Sequence, residues 1–312
     1  MSHVVWLPFD SLNEAERAVG PFPAGIDVEC FQGRGDEPAS VGRVELLVAP
    51  YLANPQEVLA RVAQMSSLRA IQLQTAGFET YAPLLPVGVQ LCNAAGVHDA
   101  STAELAVALA LANNRHLDVY ARNMASGTWG QDFSRALADS RALIVGYGHI
   151  GRAIEARLEP FEVTLTRVAS HARVEDGRQV HGIDELGDLL PSADVVFVVT
   201  PLNEQTRHLI GARELALLPD DALVVNVGRG PVVDTDALAA ATATGRIRAS
   251  LDVTDPEPLP PDHPLWRTPG VFISPHVGGP TSAFYPRSYA LIADQVRRFA
   301  AGEPLRNVVA VG

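Results

Sequence analysis

Leu143-Ile144-Val145-Gly146-Tyr147-Gly148-His149-Ile150-Gly151, followed at once by Arg-Ala-Ile-Glu-Ala-Arg-Leu at 152–158, is the stretch that decides the fold. A short apolar run enters glycines spaced GxGxxG, and a helical pattern leaves them. Gly146 permits a tight turn, Gly148 lets backbone approach a pyrophosphate, and Gly151 lets the helix pack closely on the strand. The helix N-terminus then offers free N–H groups and partial positive charge to phosphates. With another apolar run at 163–168, the context predicts a βαβ nucleotide site, with His149 and Ile150 inside the phosphate turn.

Outward from this turn, short apolar runs alternate with amphipathic stretches, the pattern of strands buried on both faces and separated by helices. Runs at 142–145, 163–168, 195–199, 223–227, 249–252 and 271–273 suit a doubly wound parallel sheet. An earlier set at 4–7, 26–28, 45–48, 70–74 and 89–92 suits a second, smaller parallel sheet. Between the sets, Ser101 and Glu104 match a capping box opening one long helix that continues through Met124. The amphipathic stretch 282–301 is placed to return to the first sheet. The expected architecture is α/β: a Rossmann domain at 99–282 and a flavodoxin-like domain formed by 1–98 and 283–312.

Composition bounds the function. The chain has 312 residues, which suits two domains at roughly 100–200 residues each. With 47% hydrophobic and 19% charged residues it buries a large core, so disorder and coiled coil are excluded. A net charge of −12 argues against nucleic acid and anionic membrane partners. All 24 basic residues are arginine, so an anionic ligand would meet guanidinium groups. Cys30 and Cys92 stand far apart without metal-ligand spacing, so the expected metal set is none. The start MSHVVWLPFD lacks a signal-peptide pattern and no long apolar span follows, which leads to an expectation of cytoplasmic location.

Residues 163–173 refine the nucleotide. An NAD-binding strand of this kind carries an acid near its end for the ribose hydroxyls, but no Asp or Glu occurs here before Glu175. Ala169, Ser170, His171 and Arg173 stand there instead. Room, a hydroxyl, an imidazole and a guanidinium suit a 2′-phosphate, so the expected cofactor is NADP(H) in preference to NAD(H), which the site could also take.

Three later segments each end a strand of the second set, where open α/β sheets hold their ligand. They bring Arg229, Glu257 and His276 toward one crevice. An Arg grips a carboxylate in a bidentate fork, a His moves a proton near neutral pH, and a Glu beside it orients the ring and favours its charged form. These parts suffice to reduce a 2-keto acid.

With GYGHIG (146–151), NVGRGPVVD (226–234), LDVTDPEPLP (251–260), HPLW (263–266) and SPHVGG (274–279), the chain resembles the D-isomer-specific 2-hydroxyacid dehydrogenase family over nearly its whole length. The resemblance implies that Arg229 binds the substrate carboxylate and carbonyl, that His276 is the acid/base, and that Glu257 pairs with it. It implies that Asp252 anchors the nicotinamide carboxamide and that Thr200, Pro201, Val227 and Gly278 line the cofactor cleft. It further implies backbone donors for substrate around Ala76 and Gly77, substrate choice at Tyr51, and a homodimer. By residue type alone, Trp129 and Trp266 read as core or dimer-contact aromatics. Glyoxylate or hydroxypyruvate reduction to the D-2-hydroxy acid is the expected activity. Formate dehydrogenase is disfavoured, since relatives with that activity carry an amide where Glu257 stands, and a nucleotide-sensing corepressor of the same fold stays open. The sequence departs from the family at Ala169, where NAD-using members carry Asp, at Thr254 for an aromatic, and at Ser274 for Thr. The absence of a carboxy-terminal regulatory domain makes a serine-pathway role less expected.

Overall fold

The computed structural model describes residues 2–312. In chain order the elements are β1 His3–Leu7, α1 Leu12–Val19, β2 Ile26–Cys30, β3 Val44–Val48, α2 Pro55–Val62, β4 Ala70–Gln72, β5 Gln90–Cys92, α3 Asp99–Asn114, α4 Leu117–Ser126, β6 Arg141–Val145, α5 His149–Leu158 and β7 Thr164–Ala169. There follow β8 Arg173–Glu175, β9 Arg178–Gly182, α6 Leu186–Leu189, β10 Val195–Val198, α7 Ala212–Leu217, β11 Leu223–Asn226, α8 Thr235–Ala243, β12 Arg248–Leu251, β13 Val271–Ile273, α9 Phe284–Ala301 and β14 Val308–Val311. Two compact units result, Met1–His98 with Ser282–Gly312, and Asp99–Thr281.

The first unit has a sheet of order β14-β5-β4-β3-β1-β2, parallel except where β14 runs against β5. Both faces are covered, so its strands read as continuous apolar runs. Trp6, Leu47, Ile71 and Leu91 pack on one side. On the other, Ile292, Val296 and Phe299 of α9 close over Val5, Leu7 and Leu46.

The second unit has the order β13-β12-β11-β10-β6-β7-β9-β8, with β8 antiparallel to β9. The order reverses between β10 and β6, so the carboxyl ends of these strands open a crevice at the glycine turn. Two apolar layers flank the sheet: Val196, Val198, Val224 and Ala249 face one, Ile144, Phe197, Val225 and Leu223 the other.

Three expectations are corrected here. The capping box at Ser101 does not form: α3 begins at Asp99, and the Ser101 hydroxyl pairs with that of Thr281 at 2.6 Å. The long helix breaks before Leu117, with His116 at φ 54°. The buried Asn113 amide is drawn sideways to the carbonyls of Ala249 and Gly270, at 3.1 and 2.9 Å, which ties the helix end to the sheet rather than to a further turn. Finally, of the two readings of Trp129, core or dimer contact, the first is excluded, since it is 96% exposed.

Candidate active site

The glycine turn is built as its spacing demands. Gly146 has φ 112°, a region costly for a side chain, and a Cβ there would lie 2.7 Å from the Thr200 nitrogen. A Cβ on Gly151 would lie 2.4 Å from the Gly146 carbonyl oxygen, so the helix reaches the turn only without one. Gly148, the N-cap of α5, would meet nothing within 4 Å, which leaves its backbone open to a ligand. His149 and Ile150 follow in the first turn of α5. Thr200, at the end of β10, is buried with its Oγ1 unpartnered. An orphaned hydroxyl costs free energy unless something binds it. Together with the open Gly148 backbone and the dipole of α5, this fits a dinucleotide. Pro201 is exposed beyond Thr200, and Val227 is buried at the end of β11.

At the end of β7, Ala169 is half-buried and Ser170 and His171 are exposed. Arg173 reaches back, its Nη2 donating to the Tyr147 carbonyl in the glycine turn at 3.1 Å. The turn is braced from beneath by the fully buried Glu155, which accepts from the Tyr147 hydroxyl and from Arg167 Nε, the latter at 2.9 Å.

A second cluster lies at the ends of β11, β12 and β13. The His276 Nδ1 and a Glu257 carboxylate oxygen are 2.5 Å apart. A carboxylate only accepts, so Nδ1 carries the hydrogen and Nε2 is the nitrogen left for other chemistry. The hydrogen bond to Glu257 raises the His276 pKa above its ordinary value. Burial opposes the rise, the charges of Glu257 and Asp252 add to it, and Arg229 works against it. His276 sits at φ 52°, a strained conformation for a side-chain-bearing residue. Asp252 imposes it. Its carbonyl accepts from the His276 amide at 2.8 Å, and its carboxylate accepts from the amides of Val277 and Gly278, both at 2.9 Å, and from Ser274 Oγ at 2.6 Å.

Asp252 thus secures the 274–278 loop, a use that the reading of it as a cofactor anchor lacked. Ser274, a departure without an assigned effect, supplies one of its donors. Sequence reasoning also missed Asn226, which is buried beneath Arg229. Its amide donates to the Arg229 carbonyl at 3.0 Å and its oxygen accepts from the Gly228 amide at 3.1 Å, fixing the turn that carries the guanidinium. The asparagine was visible in NVGRG, but only coordinates reveal both bonds. Arg229 Nη1 donates to the Gly228 carbonyl at 2.7 Å.

Tyr51, Ala76 and Gly77 belong to the first unit, in loops after β3 and β4. Tyr51 stacks on Phe284 with ring centroids 4.0 Å apart, and the buried His98 ring packs against both, its centroid 5.4 Å from Phe284 and 5.9 Å from Tyr51. Asn93 Nδ2 donates to the Ala76 carbonyl at 2.8 Å, and the Thr75 hydroxyl donates to that of Gly77 at 2.9 Å.

Residues 107–278 match the family model for the D-isomer specific 2-hydroxyacid dehydrogenase, NAD binding domain. The chain belongs to the D-isomer specific 2-hydroxyacid dehydrogenase family. Glyoxylate/hydroxypyruvate reductase B of Citrobacter koseri is 33% identical over 261 residues, 80% of each chain. D-3-phosphoglycerate dehydrogenase of Methanocaldococcus jannaschii is 30% identical over 227 residues, covering 71% of this chain and 43% of that one. Among solved structures, a D-isomer specific 2-hydroxyacid dehydrogenase from Xanthobacter autotrophicus Py2, in complex with NADPH and MES, matches with TM-score 0.82 and 27% identity, over 99% of this chain and 98% of the other. Membership makes this dehydrogenase an oxidoreductase of 2-hydroxy and 2-keto acids that works with a nicotinamide cofactor. Among its described residues no helix is long and apolar enough to cross a membrane.

Proposed function

We propose that this chain reduces a small 2-keto acid of the glyoxylate or hydroxypyruvate class to the D-2-hydroxy acid, with NADPH preferred to NADH. The observation that carries the reading is the His276–Glu257 pair at 2.5 Å. A bound reduced nicotinamide supplies a hydride to the carbonyl carbon. His276, charged through Glu257, gives its Nε2 proton to the oxygen on which negative charge develops, while Nδ1 keeps its hydrogen and goes on donating it to Glu257. Arg229 grips the substrate carboxylate, and the same reading gives the backbone amides near Ala76 and Gly77 and the side chain of Tyr51 a part in substrate binding. Asp252 holds His276 in its strained conformation and offers its remaining lone pair to the carboxamide. Thr200, Pro201, Val227 and Gly278 line the cofactor's path from the glycine turn. The names of relatives such as the Citrobacter koseri reductase support the substrate class.

The pH profile follows in sign. Reduction needs the imidazolium, so kcat/KM for the keto acid falls as pH rises through the raised pKa of His276. Glu257→Gln removes the first cause of that rise, so the alkaline limb shifts to lower pH while the rate at acid pH suffers less. An unmoved limb would detach Glu257 from the titration.

NADPH preference rests on Ala169, Ser170, His171 and Arg173. One charge-assisted hydrogen bond contributes about 1.5–3 kcal/mol, so kcat/KM for NADPH should exceed that for NADH by roughly 10- to 100-fold. A higher value with NADH overturns the assignment.

A homodimer is part of the same proposal. Trp129 and Phe133 are 96% and 100% exposed, and a second copy of this chain would cover them. The double variant Trp129→Ser/Phe133→Ser should run as a monomer in size-exclusion chromatography with light scattering, where the parent runs as a dimer; equal masses count against this face. The two free cysteines suit the reducing cytoplasm, where we place the enzyme.

A further inference from the structure

Two guanidinium groups stand beside the glycine turn, and one carboxylate holds both. Arg152, in the first turns of α5, lies over the Tyr147 ring with Cζ 5.3 Å from its centroid and donates from Nε to Glu175 Oε1 at 2.5 Å. Arg173 donates from Nε to Glu175 Oε2 at 2.8 Å, while its Nη2 is on the Tyr147 carbonyl. Each oxygen of Glu175 therefore takes one arginine. The carboxyl pKa is lowered to about 2, first by the hydrogen bond from Arg152 and next by that from Arg173, so Glu175 is charged at any working pH. Its strand, β8, pairs with β9 in an antiparallel hairpin at the sheet edge, directly after the exposed Ser170 and His171.

We infer that Glu175 sets how strongly this chain discriminates for a 2′-phosphorylated cofactor, because its carboxylate occupies the Arg152 and Arg173 guanidiniums that a phosphate would otherwise take. The inference deepens the NADP(H) reading and rests on it for the place where the phosphate binds. A dianionic phosphate there competes with Glu175 for the same donors and is repelled by it. The glutamate thus moderates a preference that the arginines alone would make steeper. The opposite use of the same residue is a carboxylate that accepts the ribose hydroxyl in place of the acid missing at Ala169, which would favour the unphosphorylated cofactor.

Calorimetric titration of the full-length protein with 2′,5′-ADP and with 5′-AMP separates the two, since these fragments differ only in the 2′-phosphate. Glu175→Gln should tighten 2′,5′-ADP by about tenfold and leave 5′-AMP within about twofold, the scale expected from removing one like charge at a half-screened site. Adding Arg173→Met to that variant should cancel the gain. An unchanged ratio of the two affinities overturns the inference, as does a selective loss of 5′-AMP affinity, which would mark Glu175 as the ribose acid. If the unaltered protein prefers 5′-AMP, the NADP(H) reading fails on its own; a tenfold gain in 2′,5′-ADP affinity on Glu175→Gln, with 5′-AMP within about twofold, would still support the role of Glu175.

Discussion

Replacing His276 by Gln should lower kcat for 2-keto acid reduction by at least about 10², the scale of a positioned general acid. Glutamine keeps a polar group of similar reach, so the backbone arrangement at φ 52°, with its amide on the Asp252 carbonyl, has every reason to persist. What disappears is a group that can be charged by Glu257 and then release a proton. KM should change little, because in the proposed mechanism Arg229 rather than His276 holds the carboxylate. Stopped-flow and steady-state rates with reduced cofactor test this; turnover near that of the parent would remove His276 from the chemistry. A loss confined to KM would reassign it to substrate binding.

The second large effect is on folding. A Cβ on Gly230 would fall 1.8 Å from the Thr254 carbonyl oxygen and 2.9 Å from the Asp255 nitrogen, so both obstacles are backbone. No rotamer relieves such an overlap; the turn bearing Arg229 and the 252–257 segment bearing Glu257 must separate. Gly230→Ala should cost at least about 3 kcal/mol. At roughly 2–4 °C per kcal/mol for a unit of this size, calorimetry should find the transition about 6–12 °C lower. Because the displaced segments carry Arg229 and Glu257, turnover should fall with stability. An unshifted transition would mean that these two backbones do not approach as described.

How far the sequence reveals this molecule depends on what each residue answers to. The glycine turn was legible because its roles are local: a turn, an open backbone, a close helix. The buried parallel strands were legible for a similar reason, since burial on both faces makes runs such as Ala-Leu-Ile-Val at 142–145 apolar throughout. The hairpin β8–β9 was not, because its strands, Arg-Val-Glu at 173–175 and Arg-Gln-Val-His-Gly at 178–182, carry one valine each, too few to display a period of two at the sheet edge. The break at His116 was hidden by an apolar pattern that runs on past it, and its cause lies on β12 and at Gly270, far along the chain. Gly230 stands in the NVGRGPVVD segment with nothing nearby in sequence to mark it, because its requirement comes from the Thr254 backbone across the site. Asn226 and Ser274 likewise serve partners that spacing alone does not reveal.

Hydride transfer itself is tested most directly by isotope. With NADPH bearing deuterium at the transferable C4 position and hydroxypyruvate as substrate, the product should be D-glycerate carrying deuterium at C2, with none exchanged into solvent, and its formation should be lost in His276→Gln. Cofactor that binds without any label reaching glyoxylate, hydroxypyruvate or another 2-keto acid would contradict the proposal and leave a nucleotide-binding protein without this chemistry.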